Sequence, residues 1–221
     1  LKIKKLIRDY IKKRLLNKNN SRSLNFIGNT KNINNLNSFH ELGKNSLIKK
    51  IANSTYIKNI VKKFLNSQAE YRFSELFAKP AKKGLPSPAH QDNYYWGVKG
   101  SNALTIWIAL DKSNIKNGCI YYYDGSHKHG ILSHKPSYAK GSSQTVKNKR
   151  FLKKFKISYP SLKIGDALIH HSLIVHGSLA NKSKNSRKGW TLQFKDKKAH
   201  YDLKQIKNYE KSLKKQIELR L

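Results

Sequence analysis

The chain of 221 residues has one cysteine, no methionine, 5 prolines, and only 12 acidic side chains against 46 Lys and Arg. Each shortage excludes something. Cys119 alone forms no internal disulfide, so packing must hold the fold, and a soluble protein of a reducing, cytoplasmic compartment is expected. No segment approaches the ~18 uninterrupted apolar residues that a membrane helix needs. The leading stretch Leu1–Leu16 alternates Lys and Arg with Leu and Ile at helical spacing, without the apolar centre or small-residue cleavage site of a signal peptide. It predicts an amphipathic helix, packed on the core or solvated; an anionic membrane surface is the rarer use of such a pattern. Because the chain starts at Leu and lacks Met, an N-terminus that is incomplete or processed is expected.

The near absence of acid leaves a net charge of +34. Fields of that size attract nucleic acid, anionic membranes or acidic small molecules. The excess is Lys rather than Arg, runs along the whole chain and travels with Asn and Ile, as in Asn17–Asn20. That texture reads as drift toward A- and T-rich codons, with anion steering as the alternative. Arg clusters interleaved with aromatics, which a nucleic-acid surface favours, do not stand out, so a nucleic-acid partner is not expected. A small-molecule partner is. Oligomeric state is left open by the sequence.

Apolar residues at 38% and aromatics at 10% suffice for one domain over 1–221. Residues 1–66 carry two stretches with helical periodicity, Leu1–Leu16 and Leu47–Leu65, joined by an Asn/Ser-rich connector around Ser21–Ser38. From Tyr71 the texture changes to short β-branched and aromatic runs: Tyr71–Lys79, Ala103–Leu110, Gly118–Tyr123, Asp166–Val175 and Gly189–Phe194. Short strands without intervening helices predict a mainly β fold with flanking helices, an antiparallel barrel or double-sheet jelly roll, with its core at 71–195. Lys135–Lys154 reads as a long loop, a candidate flap over a site. The stripe Leu203, Ile206, Leu213, Ile217 and Leu221 predicts a helix over 202–221 packed on the sheet.

Chemistry concentrates in Ala89-His90-Gln91-Asp92. On extended backbone, residues two apart leave from one face, so His90 and Asp92 can reach one ion. Two imidazoles and one carboxylate on a single side make the facial triad of non-haem iron(II) sites. His176, ending the apolar run Leu173-Ile174-Val175, is the candidate for the second imidazole. Arg187 follows eleven residues later in a chain that otherwise prefers Lys, and its planar fork suits a carboxylate.

These pieces, with their surroundings, resemble the phytanoyl-CoA dioxygenase family of iron(II)/2-oxoglutarate oxygenases. They are Pro88–Trp96, Thr105–Asp111, Asn117–Ile120 with Gly125–Gly130, and Gly165–Leu168 leading to His176–Ser183, in family order. The resemblance implies a double-stranded β-helix (jelly-roll) fold. It implies His90, Asp92 and His176 as catalytic iron ligands, Arg187 and Ser178 on the distal carboxylate of 2-oxoglutarate, and Trp107 packed beside it. The cofactors implied are Fe(II), 2-oxoglutarate as co-substrate and O2. The activity implied is hydroxylation of an unactivated C–H bond in a small, anionic substrate or acyl thioester. Asp92 stands where related halogenases carry a small residue, which favours hydroxylation. Two departures are Asp124 before Gly125-Ser126-His127, where the family shows Pro, and the short region ahead of His90. Gln91, Asn93, Tyr94 and Tyr95, beside the metal motif, are candidate substrate contacts. His170 is expected to be a structural imidazole rather than a cavity lining, the Gly125–Gly130 turn to be structural, and Lys79 to be solvated.

Overall fold

The strand Ala103–Ala109 (β5) is apolar and β-branched with buried residues along nearly its whole length, the pattern of a strand covered on both faces. Its neighbours are β12 (Arg187–Asp196) and β10 (Ala167–His171), and β12 pairs in turn with β3 (Ala69–Lys79). The computed structural model, which describes residues 2–16, 23–100, 102–139 and 142–218, extends this sheet with β2 (Leu36–Phe39) and β1 (Leu24–Phe26) to six strands in the order β1-β2-β3-β12-β5-β10. A four-stranded sheet faces it, β4-β11-β6-β9, built from β4 (Ser87–His90), β11 (His176–Ser178), β6 (Ile120–Tyr123) and β9 (Ile157–Ser158). All pairings in both sheets are antiparallel, and the architecture is a jelly roll flanked by helices.

Alternation along the large sheet separates two environments. Leu76, Leu104, Ile106, Leu192 and Phe194 point outward into the main core. They meet Ile7 and Ile11 of α1 (Lys2–Leu16), Ile48 of α2 (Ser46–Ala52), and Val61 and Leu65 of α3 (Thr55–Leu65). Each such side chain contributes about 1.5–3 kcal/mol by leaving water. The alternate residues Lys79, Thr105, Trp107, Arg187 and Gly189 face the small sheet, so the helices stabilise one face while the other is free to carry chemistry. Among the described residues no helix is long and apolar enough to cross a membrane.

Several boundaries differ from the sequence expectation, each for a local reason. The 47–65 stretch is two helices, because Asn45 and Ser54 each cap a new N-terminus through their side chains and the chain turns at Asn53. The 21–38 connector supplies β1 and β2, so strands begin well ahead of residue 71. The run Asp166–Val175 stops at His171. Ser172–Val175 then carries the chain across to the other sheet, where His176 starts β11. The terminal helix α6 (Leu203–Glu218) packs on α4 (Asp92–Trp96) and on the 134–146 segment rather than on the six-stranded sheet: Gln205 donates to the Asn93 and Tyr94 carbonyls and Ser212 accepts from Gln144, while Leu203 and Ile217 remain exposed. Leu1 and Leu221 lie outside the described residues.

The 135–154 segment is not a loop. It forms a hairpin of β7 (His134–Ala139) and β8 (Ser142–Val146), then a helical turn, α5 (Lys149–Leu152). Beside the apolar Val146 and Leu152, its buried positions include Ser142, Gln144 and Thr145, which substitute hydrogen bonds for apolar contacts and so erase the hydrophobic alternation. Thr145 donates to the Ala89 carbonyl and Gln144 to Ser212 of α6, tying the hairpin to β4 beside the site.

Candidate metal centre

β4 ends at His90, Gln91 continues extended at φ −117° and ψ 132°, and Asp92 opens α4. That one extended residue keeps His90 and Asp92 on the same side and sends the Gln91 side chain to the other. His176 lies directly opposite His90 in the β4–β11 pair. The three side chains each bring one ligand-type atom, all within 4.8 Å of one another. Asp92 Oδ1 is 3.9 Å from His90 Nε2 and 3.6 Å from His176 Nε2.

Both rings are oriented from behind. His90 Nδ1 donates to the Pro88 carbonyl at 2.7 Å and His176 Nδ1 to the Ile174 carbonyl at 3.1 Å, so each presents Nε2 as a lone pair, the tautomer a metal requires. Burial pushes His176 down to about 3 and lowers His90 as well, keeping both imidazoles uncharged at neutral pH. Burial alone would raise the Asp92 carboxyl, but the imidazoles of His176, His170 and His90 around it hold it well below the usual carboxylate range. Its second oxygen, Oδ2, accepts from Thr105 Oγ1 at 2.8 Å and faces His170 Nε2 at 3.2 Å. Two neutral imidazoles and one ionised carboxylate, with no thiolate, fit a divalent iron and leave its remaining positions for other ligands.

Arg187 and Trp107 come from the large sheet, facing the triad's own sheet. Arg187 is 2% exposed, and its Nε and Nη2 donate to the Gly118 carbonyl at 3.1 and 2.8 Å. The guanidinium carbon lies 5.2 Å from the centroid of the Trp107 ring. Burial lowers Arg187 to about 10, which still leaves it a cation at neutral pH. Trp107 lies so close over Gly189 that any Cβ there would come within 1.9 Å of the ring, which is why the strand carries Gly at that step. Ser178 follows His176 on β11 and pairs with Ile120, two residues past the Gly118 carbonyl that anchors Arg187. The return from His176 to Arg187 therefore crosses between the sheets; β12 pairs with β3 and β5.

Lys79 is not solvated. It is 4% exposed, stands opposite Arg187 in the β3–β12 register, and its Nζ donates to the Leu85 carbonyl. Burial and the neighbouring guanidinium pull its ammonium down to about 6. The folded chain thus holds this amine largely uncharged at pH 7 while the unfolded chain holds it charged, a cost complete below pH ~6 and gone by the ordinary lysine range near pH ~10. Lys79→Met is expected to raise the melting temperature at pH 7 by about 3–6 °C. Thermal scans from pH 6 to pH 10 should show that gain shrinking as pH rises.

The proposed substrate contacts divide. Gln91 and Asn93 are structural: Gln91 is fully buried, its Nε2 donates to the Gly130 and Leu173 carbonyls, and its Oε1 accepts from Leu132 N. Asn93 exchanges two bonds with the Val98 backbone, closing the turn after α4. Both adjoin the motif in sequence, but strand alternation points Gln91 away from the metal face. Gln91→Leu is expected to destabilise the fold by about 2–4 kcal/mol, read by denaturant unfolding, because it strands the buried Leu173 carbonyl and the part-buried Gly130 carbonyl and Leu132 N–H. Tyr95 does flank the site: its ring is 5.6 Å from that of His90 and 5.1 Å from that of Tyr209, and its hydroxyl meets Ser142 of the hairpin. Tyr94 stacks on His134 at 4.1 Å. His170, expected to be structural, lines the metal cluster, its ring 4.8 Å from that of His176. In the Gly125–Gly130 turn, Asp124 donates its backbone N–H to the Lys156 carbonyl, a bond the family's Pro could not make.

Comparison with known proteins agrees with this architecture. The bovine (Bos taurus) "Phytanoyl-CoA dioxygenase, peroxisomal" is 29% identical over 123 residues, 54% of this chain and 36% of that protein. The zebrafish (Danio rerio) "Phytanoyl-CoA dioxygenase domain-containing protein 1" is 27% identical over 150 residues, 66% of this chain and 51% of that protein. The chain thus spans between a third and about half of the length of these curated relatives. Among solved structures, the non-heme alpha ketoglutarate dependent carbocyclase SnoK from nogalamycin biosynthesis superposes with TM-score 0.70 at 19% identity, covering 90% of this chain and 77% of that one. EctD from S. alaskensis with bound Fe gives TM-score 0.70 at 17% identity, over 90% of this chain and 69% of that one. These likenesses carry the fold. The family model for phytanoyl-CoA dioxygenase (PhyH) matches residues 2–189, a span that takes in His90, Asp92, His176 and Arg187, and the chain belongs to that family.

Proposed function

We propose that this chain is an iron(II)- and 2-oxoglutarate-dependent dioxygenase that hydroxylates an unactivated C–H bond of a small, anionic substrate or an acyl thioester. The observation that carries the reading is the convergence of His90 Nε2, His176 Nε2 and Asp92 Oδ1, each aimed by a separate hydrogen bond behind it. Those three atoms would hold the iron. Iron(II) with 2-oxoglutarate and dioxygen supplies oxidation of a C–H bond, the co-substrate leaving as succinate and carbon dioxide.

The remaining work falls to the chain. Arg187, fixed by the Gly118 carbonyl and the Trp107 ring, would bind the distal carboxylate of the co-substrate together with Ser178. Trp107 forms an apolar wall beside it and excludes water. Tyr95, held by Ser142 and packed on His90, borders the space in which the substrate must lie. The positive charge of +34 would draw anionic substrates toward the opening.

Succinate release from 2-oxoglutarate, measured with iron(II) across anionic small molecules, CoA thioesters and single-stranded DNA, tests the reading. Substrate-stimulated release that weakens with added salt is expected. A wild type that consumes no 2-oxoglutarate with any of them contradicts it, and salt-insensitive turnover of a neutral compound removes the steering role.

A further inference from the structure

A carboxylate that ligates a metal through one oxygen must be prevented from turning, because its terminal torsion is broad and nearly two-fold. In Asp92 the oxygen turned away from the histidine pair is Oδ2. Thr105 holds it from β5, and His170 approaches it from β10, one strand over: Thr105 and His170 are direct partners in the β5–β10 register. A carboxylate oxygen only accepts, so His170 Nε2 carries the hydrogen between them. His170 Nδ1 is engaged at 2.9 Å by the hydroxyl of Tyr122, which lies on β6 directly opposite His176. The His170 ring packs 4.8 Å from that of His176, and the Tyr122 ring 5.9 Å from it. Tyr122, His170 and Asp92 thus form a chain of hydrogen bonds running from the small sheet through the large sheet into the ligand set.

On its far side this chain meets a cleft of about 660 Å³ between the free edges of the two sheets, β9 and β10, lined by Tyr122, His170, His171, Tyr159 and Lys156. His170 therefore stands between the cleft and Asp92, where it excludes a competing donor from Oδ2.

We infer that His170 and Tyr122 are positioning residues for the metal centre, locking Asp92 to present Oδ1 alone. The inference rests on the proposed iron site. Partners of this kind, behind a first ligand, typically change metal affinity by about 10–100-fold.

Cobalt(II) binding, followed anaerobically by its visible absorption and by calorimetry, reads this without turnover. His170→Phe keeps the ring and removes both hydrogen bonds; it should weaken cobalt binding by about 10–100-fold and shift the band. Tyr122→Phe removes one hydroxyl and should weaken binding by about 3–10-fold. His170→Gln, whose amide can still donate to Oδ2, should recover most of the loss. Melting of the apoproteins checks folding, and Tyr122→Phe with His170→Gln carries the test if His170→Phe does not fold. Affinities for His170→Phe and Tyr122→Phe both within about twofold of wild type, with the band unmoved, overturn the inference. So does a loss in His170→Phe as complete as that in His90→Ala, which would make His170 a ligand. A wild type that binds neither cobalt nor 2-oxoglutarate defeats the proposed function and this inference together, whereas wild-type binding with indifferent variants defeats this inference alone.

Discussion

His176→Ala should abolish 2-oxoglutarate turnover, with a loss of about three orders of magnitude or more, since a bound metal supplies several kcal/mol and each 1.36 kcal/mol is tenfold. The size follows from the geometry. His176 is the one triad member from β11, and without it His90 and Asp92 offer two adjacent donors that cannot enclose an ion from a second sheet strand. The same substitution removes a ring packed between His90, His170 and Tyr122, so folding must be checked separately, by the melting of the apoprotein. Turnover measured against iron concentration separates the two effects: a folded variant that no concentration of iron restores is the expected result. Activity within tenfold of wild type would exclude His176 as a ligand.

Arg187→Met should raise the KM for 2-oxoglutarate by about 10–100-fold, the worth of a hydrogen-bonded charge in a buried site, while leaving iron affinity near wild type. Arg187→Lys should not rescue it. The guanidinium is held by two bonds to one carbonyl and by the Trp107 ring, and a lysine has neither the fork nor the planar face to reproduce them. Lys79 sharpens the contrast, since a second amine already stands opposite this position and burial depresses its charge. An Arg187→Lys enzyme with wild-type KM would argue that only charge is needed there.

The jelly roll was legible because its central strands are apolar runs bounded by turn residues, and β3, β5 and β12 are where the sequence pattern puts them to within a few residues. Strands that bury polar side chains were not: Ser142, Gln144 and Thr145 satisfy one another and their neighbours by hydrogen bonding, so β8 has no apolar alternation to read. Short strands such as β9 and β11 are set by pairing across the sheet, which no local window contains. At the site, spacing groups His90 with Asp92, the end of an apolar run marks His176, an arginine in a lysine-rich chain marks Arg187, and the resemblance to a family gives all four their roles. His170 escaped because its partner Asp92 is distant in sequence and the β5–β10 register alone brings them together. Adjacency to the motif marks Gln91 and Asn93 for substrate, but hydrogen bonds to backbone groups occupy them.

The three converging atoms and Arg187 should act as one site. Anaerobic titration of the wild type with iron(II) and then 2-oxoglutarate should produce a weak visible charge-transfer band that saturates at one equivalent of each, is absent in His176→Ala, and needs far more co-substrate in Arg187→Met. A wild type that binds iron yet gives no band with 2-oxoglutarate, or a band that persists in His176→Ala, contradicts it.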